Sequence, residues 1–173
     1  GLGFFMYANV TGKTFPVSYR PQDFWMELLR EHYGKTDKIR LCPEAPVPAS
    51  RKPGDSSWGT VAQAWYGSIT AAKTDLMGGH EGRYAINCWL YSNQGADFGI
   101  GGDKTRLYII YSLETSKLAA KTPMFADSAW VDGWPLAIDT VPTDLYSGGN
   151  SGGYGNNMWR FAIPRHEIGR AHV

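Results

Sequence analysis

Long apolar runs, clustered charge and cysteine are all scarce in this chain of 173 residues, and each shortage removes a class of protein. No run of apolar residues is long enough to span a bilayer, and no secretory leader stands at the start. The chain opens GLGFFMYAN without an initiator Met, so that shortage leaves the compartment undecided, and an upstream segment is expected. Charged residues form 19% of the chain and nearly cancel at a formal +1, with no Lys or Arg cluster interleaved with aromatics. Nucleic acid and anionic membrane surfaces are therefore not expected partners of this segment. The two cysteines, Cys42 and Cys88, are not spaced as a CxxC or zinc pair. Two readings stay open: buried free thiols, or one disulfide closing a loop of about forty-five residues and contributing about 3 to 4 kcal/mol. The histidines, His32, His80, His166 and His172, form no HExxH or other ligand spacing, so a zinc site is not supported. His32 is expected to pack or face water, and His80, in a Gly-Gly-His-Glu-Gly turn, to be solvated. There is no GxSxG elbow, and neither cysteine has a histidine nearby in sequence.

What the chain has instead is seven Trp, ten Tyr, twenty-one Gly and ten Pro, the composition of strands and shaped loops rather than of a helical bundle. The length suits one domain with a real core. Leu2, Phe4, Phe5, Met6 and Ala8 are too few for an independent helix but suit the last turns of a longer one, closed by Asn9 and Gly12 with Pro16 confirming the exit. The stretch PQDFWMELLREHYG predicts a second helix from Pro21 to Gly34. Phe24, Trp25, Leu28, Leu29 and His32 or Tyr33 form its apolar stripe, Glu27, Arg30 and Glu31 its polar face, and Gly34 its left-handed cap. Residues 43 to 60, with four prolines and two glycines, read as a loop.

Strands are predicted in GRYAINCWLY, where Tyr84, Ile86, Cys88 and Leu90 alternate with Ala85, Asn87, Trp89 and Tyr91, and in RLYIIYS around Leu107 to Tyr111. Two more are predicted in PMFADSAWV around Met124 to Val131 and in MWRFAIP, where Phe161 and Ile163 alternate with Arg160 and Ala162. The Gly-rich SGGNSGGYGNN, Ser147 to Asn157, reads as a loop and lacks the strand-then-helix setting of a phosphate-binding turn. The sum is an α+β arrangement of two helices and an antiparallel sheet with long loops.

Chemistry has few places to sit. Asp127, Asp132, Asp139 and Asp144 fall in one stretch and invite general acid/base or calcium readings, with Asp127 and Asp132 as the calcium candidates. The spacing is not that of an EF-hand loop, and Asp132-Gly133 reads more simply as a turn. Trp58, Trp65, Tyr66, Trp89, Tyr91, Trp130 and Trp134 suggest a sugar-stacking platform, although aromatics in a small sheet protein usually anchor cores and loops.

Several stretches taken in order resemble one family. LGFFMYANVTGKTFP, with Tyr7, Ala8, Asn9, Gly12 and Pro16, looks like the end of the long N-terminal helix and following turn of prepilin-like proteins. The likeness continues in FWMELLREHYG, in Cys42-Pro43 of IRLCPEA, in Asn87 and Trp89 of YAINCWLY, in Asp127, Asp132, Gly133 and Trp134 of MFADSAWVDGWP, and in Arg165-His166 of RFAIPRH. Together these resemble the bacterial pseudopilin-like proteins that carry a His, nine residues, then Asp-Gly, relatives of type II secretion pseudopilins and type IV pilins. His166 falls on the motif histidine.

The resemblance implies a pilin-like α+β fold, in which the end of a long N-terminal helix packs on an antiparallel β-sheet and the C-terminal hairpin is truncated. It implies a structural subunit without catalysis, matured by a prepilin peptidase and anchored in the inner membrane, with its head in the periplasm or outside the cell. Other pilin-like subunits would be its partners through the N-terminal helix. No cofactor is implied; calcium at Asp127 and Asp132 is the one metal considered. Residues 1–166 form the head on this reading, while Glu167–Val173, EIGRAHV, resembles a translated short-read sequencing adapter and is expected to be read-through. Two competing expectations remain: an extracellular carbohydrate-binding module using exposed tryptophans, which burial of Trp89, Trp130 and Trp134 would oppose, and a hydrolase built on Asp127, Asp132 and His166.

Overall fold

The computed structural model describes residues 2–11, 25–70, 79–88, 123–135, 138–147 and 158–163. Helix α1 runs from Leu2 to Thr11, ending within the Asn9-to-Gly12 stop that the sequence predicts, and the Thr11 hydroxyl donates back to the Tyr7 carbonyl at 2.8 Å. The second helical region is shorter than its apolar stripe suggests: α2 covers Trp25–Leu28, and a 3-10 turn follows over Arg30–Tyr33. Gly34 closes that turn at φ 73°, the left-handed position a glycine adopts without steric cost, as its place in the sequence predicts. Residues 21 to 24 lie outside the described residues. Met26, absent from the predicted stripe, is completely buried beside Trp25 and Leu29. A helix this short need not keep one narrow face inward.

Among the described residues two small sheets follow. In the first, β1 (Trp65–Tyr66) pairs antiparallel with β2 (Glu81–Gly82), Trp65 opposite Gly82. The loop over residues 43 to 60 is held on this pair by Arg51, whose guanidinium donates to Glu81 Oε2 at 2.6 Å and to the Gly67 carbonyl at 2.5 Å and lies 4.8 Å from the Tyr66 ring centroid.

The second sheet has the order β4–β3–β5, from β3 (Tyr84–Asn87), β4 (Phe125–Asp127) and β5 (Asp132–Gly133). Strand β4 runs antiparallel to β3 with Ile86 opposite Phe125, as the sequence suggests, but β5 runs parallel to β3 with Ile86 opposite Asp132. The sheet is therefore mixed rather than antiparallel. The chain passes from one edge of β3 to the other through Ser128–Val131, with the Ser128 N–H donating to the Arg83 carbonyl at 2.7 Å. Because β3 is the central strand, Ala85, Ile86 and Asn87 are all buried, and the predicted alternation of faces does not appear as an alternation of exposure.

The expected strand MWRFAIP is not a strand in its described part. Met158–Arg160 forms a 3-10 turn, Phe161 makes a single bridge to Ser128, and Ala162 rather than Phe161 is buried. The Phe161 N–H closes locally on the Met158 carbonyl at 3.1 Å, which brings Arg160 round toward Asp132. RLYIIYS and most of SGGNSGGYGNN lie outside the described residues, as does Glu167–Val173. The core gathers Phe4 from α1, Trp25 and Met26 from α2, Trp65 from β1, Ile86 from β3, and Val131 and Trp134 around β5. Trp25 Nε1 donates to the Val131 carbonyl at 3.0 Å, tying α2 to the sheet.

Candidate functional site

Helix α1 is apolar on more than one side. Phe4 is 0% exposed, and Gly3 lies against His32, close enough that a Cβ would sit 3.6 Å from the His32 carbonyl oxygen. Tyr7 meets the His32 ring edge-on at 5.9 Å, so a half-buried His32 packs on α1. On other sides of the helix Phe5 is 52%, Met6 44% and Val10 77% exposed. A helix needs only one apolar face to dock on its own domain. The remaining apolar side chains leave apolar surface outside the domain core.

Among the described residues, the interior brings together Cys88, Asp132 and Arg160, ionisable groups far apart in sequence. Asp132 is 1% exposed and lies in β5 instead of the turn its Asp-Gly step suggests; its Oδ1 accepts from Arg160 Nη1 at 2.5 Å. Gly133 is present for space: a Cβ there would lie 2.6 Å from Phe161 Cζ. Cys88 lies against the same pair. Burial first, and then the Asp132 charge, push its thiol well above the usual range, with Arg160 partly opposing them. Its Sγ donates to the Ile86 carbonyl at 3.7 Å. Such a thiol is a poor nucleophile, because the thiolate is the reactive form. Arg160 is the residue that sequence reasoning missed. The available signal was that each apolar run, AWVDGW and MWRFAI, carries one charge, and the two charges are of opposite sign.

The structure separates the two calcium candidates. Asp127 lies opposite Tyr84 on one edge of β3, and Asp132 lies opposite Ile86 on the other. Two strand spacings, about 10 Å, lie between their backbones, and Asp132 is already held by Arg160. Among the described residues no group of three His, Cys, Asp or Glu is placed to hold a metal. Asp144 caps its own turn, accepting from the Ser147 hydroxyl and from the N–H groups of Tyr146 and Ser147, and these bonds lower its carboxyl from the usual range. His80 is not solvated as expected: its Nδ1 lies 3.6 Å from Glu27 Oε1 and the side chain is largely covered.

Of the other residues singled out from the sequence, Tyr7 and Ala8 are half-buried, Asn9 is exposed, and Pro43 is exposed beside a buried Cys42. Cys42 and Cys88 are both buried free thiols. Asn87 is buried and its Nδ2 donates to the Pro123 carbonyl at 3.1 Å. Gly12, Pro16, Trp89, Arg165 and His166 lie outside the described residues, so no convergence of His166 with Asp127 and Asp132 is described. The aromatic platform is divided. Trp65 and Trp134 are buried in the core, and the Trp58 ring stacks on Trp130 at 3.4 Å and 21° and leans on Trp159 at 4.9 Å. These indoles spend face area on one another. Comparison of the chain with protein-family models, with curated proteins and with solved structures finds no match.

Proposed function

We propose that this chain is the head of a pilin-like structural subunit, the terminal turns of whose N-terminal helix are α1, and that it works in a pilus-like or secretion-related assembly without catalysing a reaction. The observation that carries the reading is the two-sided apolarity of α1. Phe4 is sealed into the domain core, while Phe5, Met6 and Val10 present apolar surface outward. A second copy of the same helix is the partner such a strip suits, because apolar association needs no directional bonds and adds up with the area covered. The sequence resemblance supplies the rest of the reading: a pilin-like arrangement of helix on sheet, maturation by a prepilin peptidase, and an inner-membrane anchor with the head outside the cytoplasm.

The coding DNA upstream of Gly1 tests this directly. The expected result is a short basic leader followed by about twenty apolar residues running in frame into GLGFFMYAN. An initiator codon immediately before Gly1, with no apolar segment, overturns the proposal.

A further inference from the structure

Beside α1 the described residues line a cavity of about 460 Å³, partly open to solvent, that the assembly role of α1 does not use. Its wall is rich in aromatic rings: Phe4 of α1, Trp25 of α2, Tyr33 of the turn that follows, Tyr84 of β3 and Phe125 of β4. Phe4 and Trp25 are buried and back the wall, while the half-buried rings of Tyr33, Tyr84 and Phe125 are those a guest can touch. Packing fixes the wall, with the Trp25 and Phe125 rings 4.9 Å apart. A volume between about 300 and 1,000 Å³ with aromatic lining is the usual form of small-molecule sites. The polar ends of the wall are turned onto the protein itself. Trp25 has one N–H, which donates to the Val131 carbonyl at 3.0 Å, and Tyr33 has one O–H, which donates to the Met26 carbonyl at 2.9 Å. Arg40, also in the lining and itself buried, donates from Nη1 to the Glu81 carbonyl at 3.3 Å and to Met26 Sδ at 3.7 Å, so its guanidinium belongs to the protein's own bonding.

We infer that this cavity is a binding site for an uncharged aromatic small molecule, one of two or more rings with few polar atoms. Burial of its apolar surface supplies the non-directional part of the affinity. Rings meeting rings add offset-stacked and edge-to-face contacts that an aliphatic guest of equal area lacks. A charged guest gives up its hydration on entry, and the Trp25 and Tyr33 donors, already bonded within the chain, do not replace it. The site therefore selects by ring contact and by the cost of desolvating charge. It is independent of the assembly role of α1, which concerns Phe5, Met6 and Val10.

N-phenyl-1-naphthylamine, whose fluorescence rises on leaving water, is the probe, and the full chain is the receptor. Its charged counterpart is 8-anilinonaphthalene-1-sulfonate, the same ring system carrying one sulfonate. Fluorescence titration is expected to show saturable one-to-one binding of the neutral probe, at least tenfold tighter than that of the sulfonate. Intermolecular NOEs are expected from the naphthyl protons to the rings of Tyr33, Tyr84 and Phe125. Gly3→Leu should weaken binding at least tenfold, because a large side chain at this lining position takes up cavity space, while an added Cβ itself meets only ordinary contacts. Equal or tighter binding of the sulfonate overturns the inference, as do the absence of saturable binding, NOEs confined to other aromatic residues, or undiminished binding by a folded Gly3→Leu chain. The NOEs on the unmodified chain decide the location even if Gly3→Leu does not fold. Discovery of an initiator codon before Gly1 would end the filament reading and leave this result untouched.

Discussion

Asp132 and Arg160 show how a single residue's chemistry overrides its local preference. A buried carboxylate is tolerated only with a hydrogen-bonded counter-charge, and removing one partner of such a pair leaves the other charge in a medium that solvates it poorly. Asp132→Asn should therefore lower stability by about 3 kcal/mol, measured as a shift in urea midpoint at unchanged slope. The double variant Asp132→Asn, Arg160→Met should be more stable than the sum of the single losses implies; strict additivity would mean that the two side chains do not interact. Cys88 makes a pH-dependent prediction. Its thiol is raised by burial and by the Asp132 charge, so the folded chain keeps a proton that the unfolded chain releases near about pH 8.5. The stability from this source is complete below that pH and is lost as pH rises beyond it. Unfolding free energy measured between about pH 8 and 10 should fall more steeply in the native chain than in Cys88→Ala; parallel curves would refute the assignment.

At the scale of elements, α1 divides into residues that stabilise the domain and residues that do not. Phe4→Ala empties a fully buried site and should cost about 3 to 5 kcal/mol, whereas Phe5→Ser and Val10→Ser should each change stability by no more than about 0.5 kcal/mol. Thermal unfolding of the three variants separates these outcomes, and equal losses at positions 4 and 10 would contradict the burial of one and the exposure of the other. Elements whose signals are local were legible in the sequence. The apolar turns of α1, the Gly34 cap and the existence of β3 and β4 all follow from residues within a few positions of one another. Elements decided by distant partners were not. Asp-Gly favours a turn in isolation, and it becomes a strand because Arg160, twenty-eight residues away, reaches its carboxylate and Phe161 lies over its glycine. MWRFAIP has the alternation of a strand, but extension there would carry Arg160 away from the same carboxylate.

At the scale of the whole molecule, the assembly reading separates stability from association. The proposed assembly role predicts that bifunctional reagents cross-link the native protein into a ladder of multimers, and that the double variant Phe5→Ser, Val10→Ser, with its head still folded, gives no ladder. Unchanged ladders would show that neighbouring subunits meet elsewhere. The exposed apolar face of α1 was legible only in part, because the apolar residues of Leu2–Ala8 marked the end of a helix without showing which of them face outward. The Cys88, Asp132 and Arg160 cluster was not, because it is assembled from β3, β5 and the Met158–Arg160 turn, and spacing along the chain does not report convergence in space. The mixed sheet carries a consequence for how the chain comes together. Strand β3 finds both of its neighbours about forty residues further on, so neither edge can pair until distant parts of the chain have met at a cost in chain entropy. The sheet is thus a late event, folding is slower than the helices alone would permit, and until closure both edges of β3 stay open to pairing with another chain.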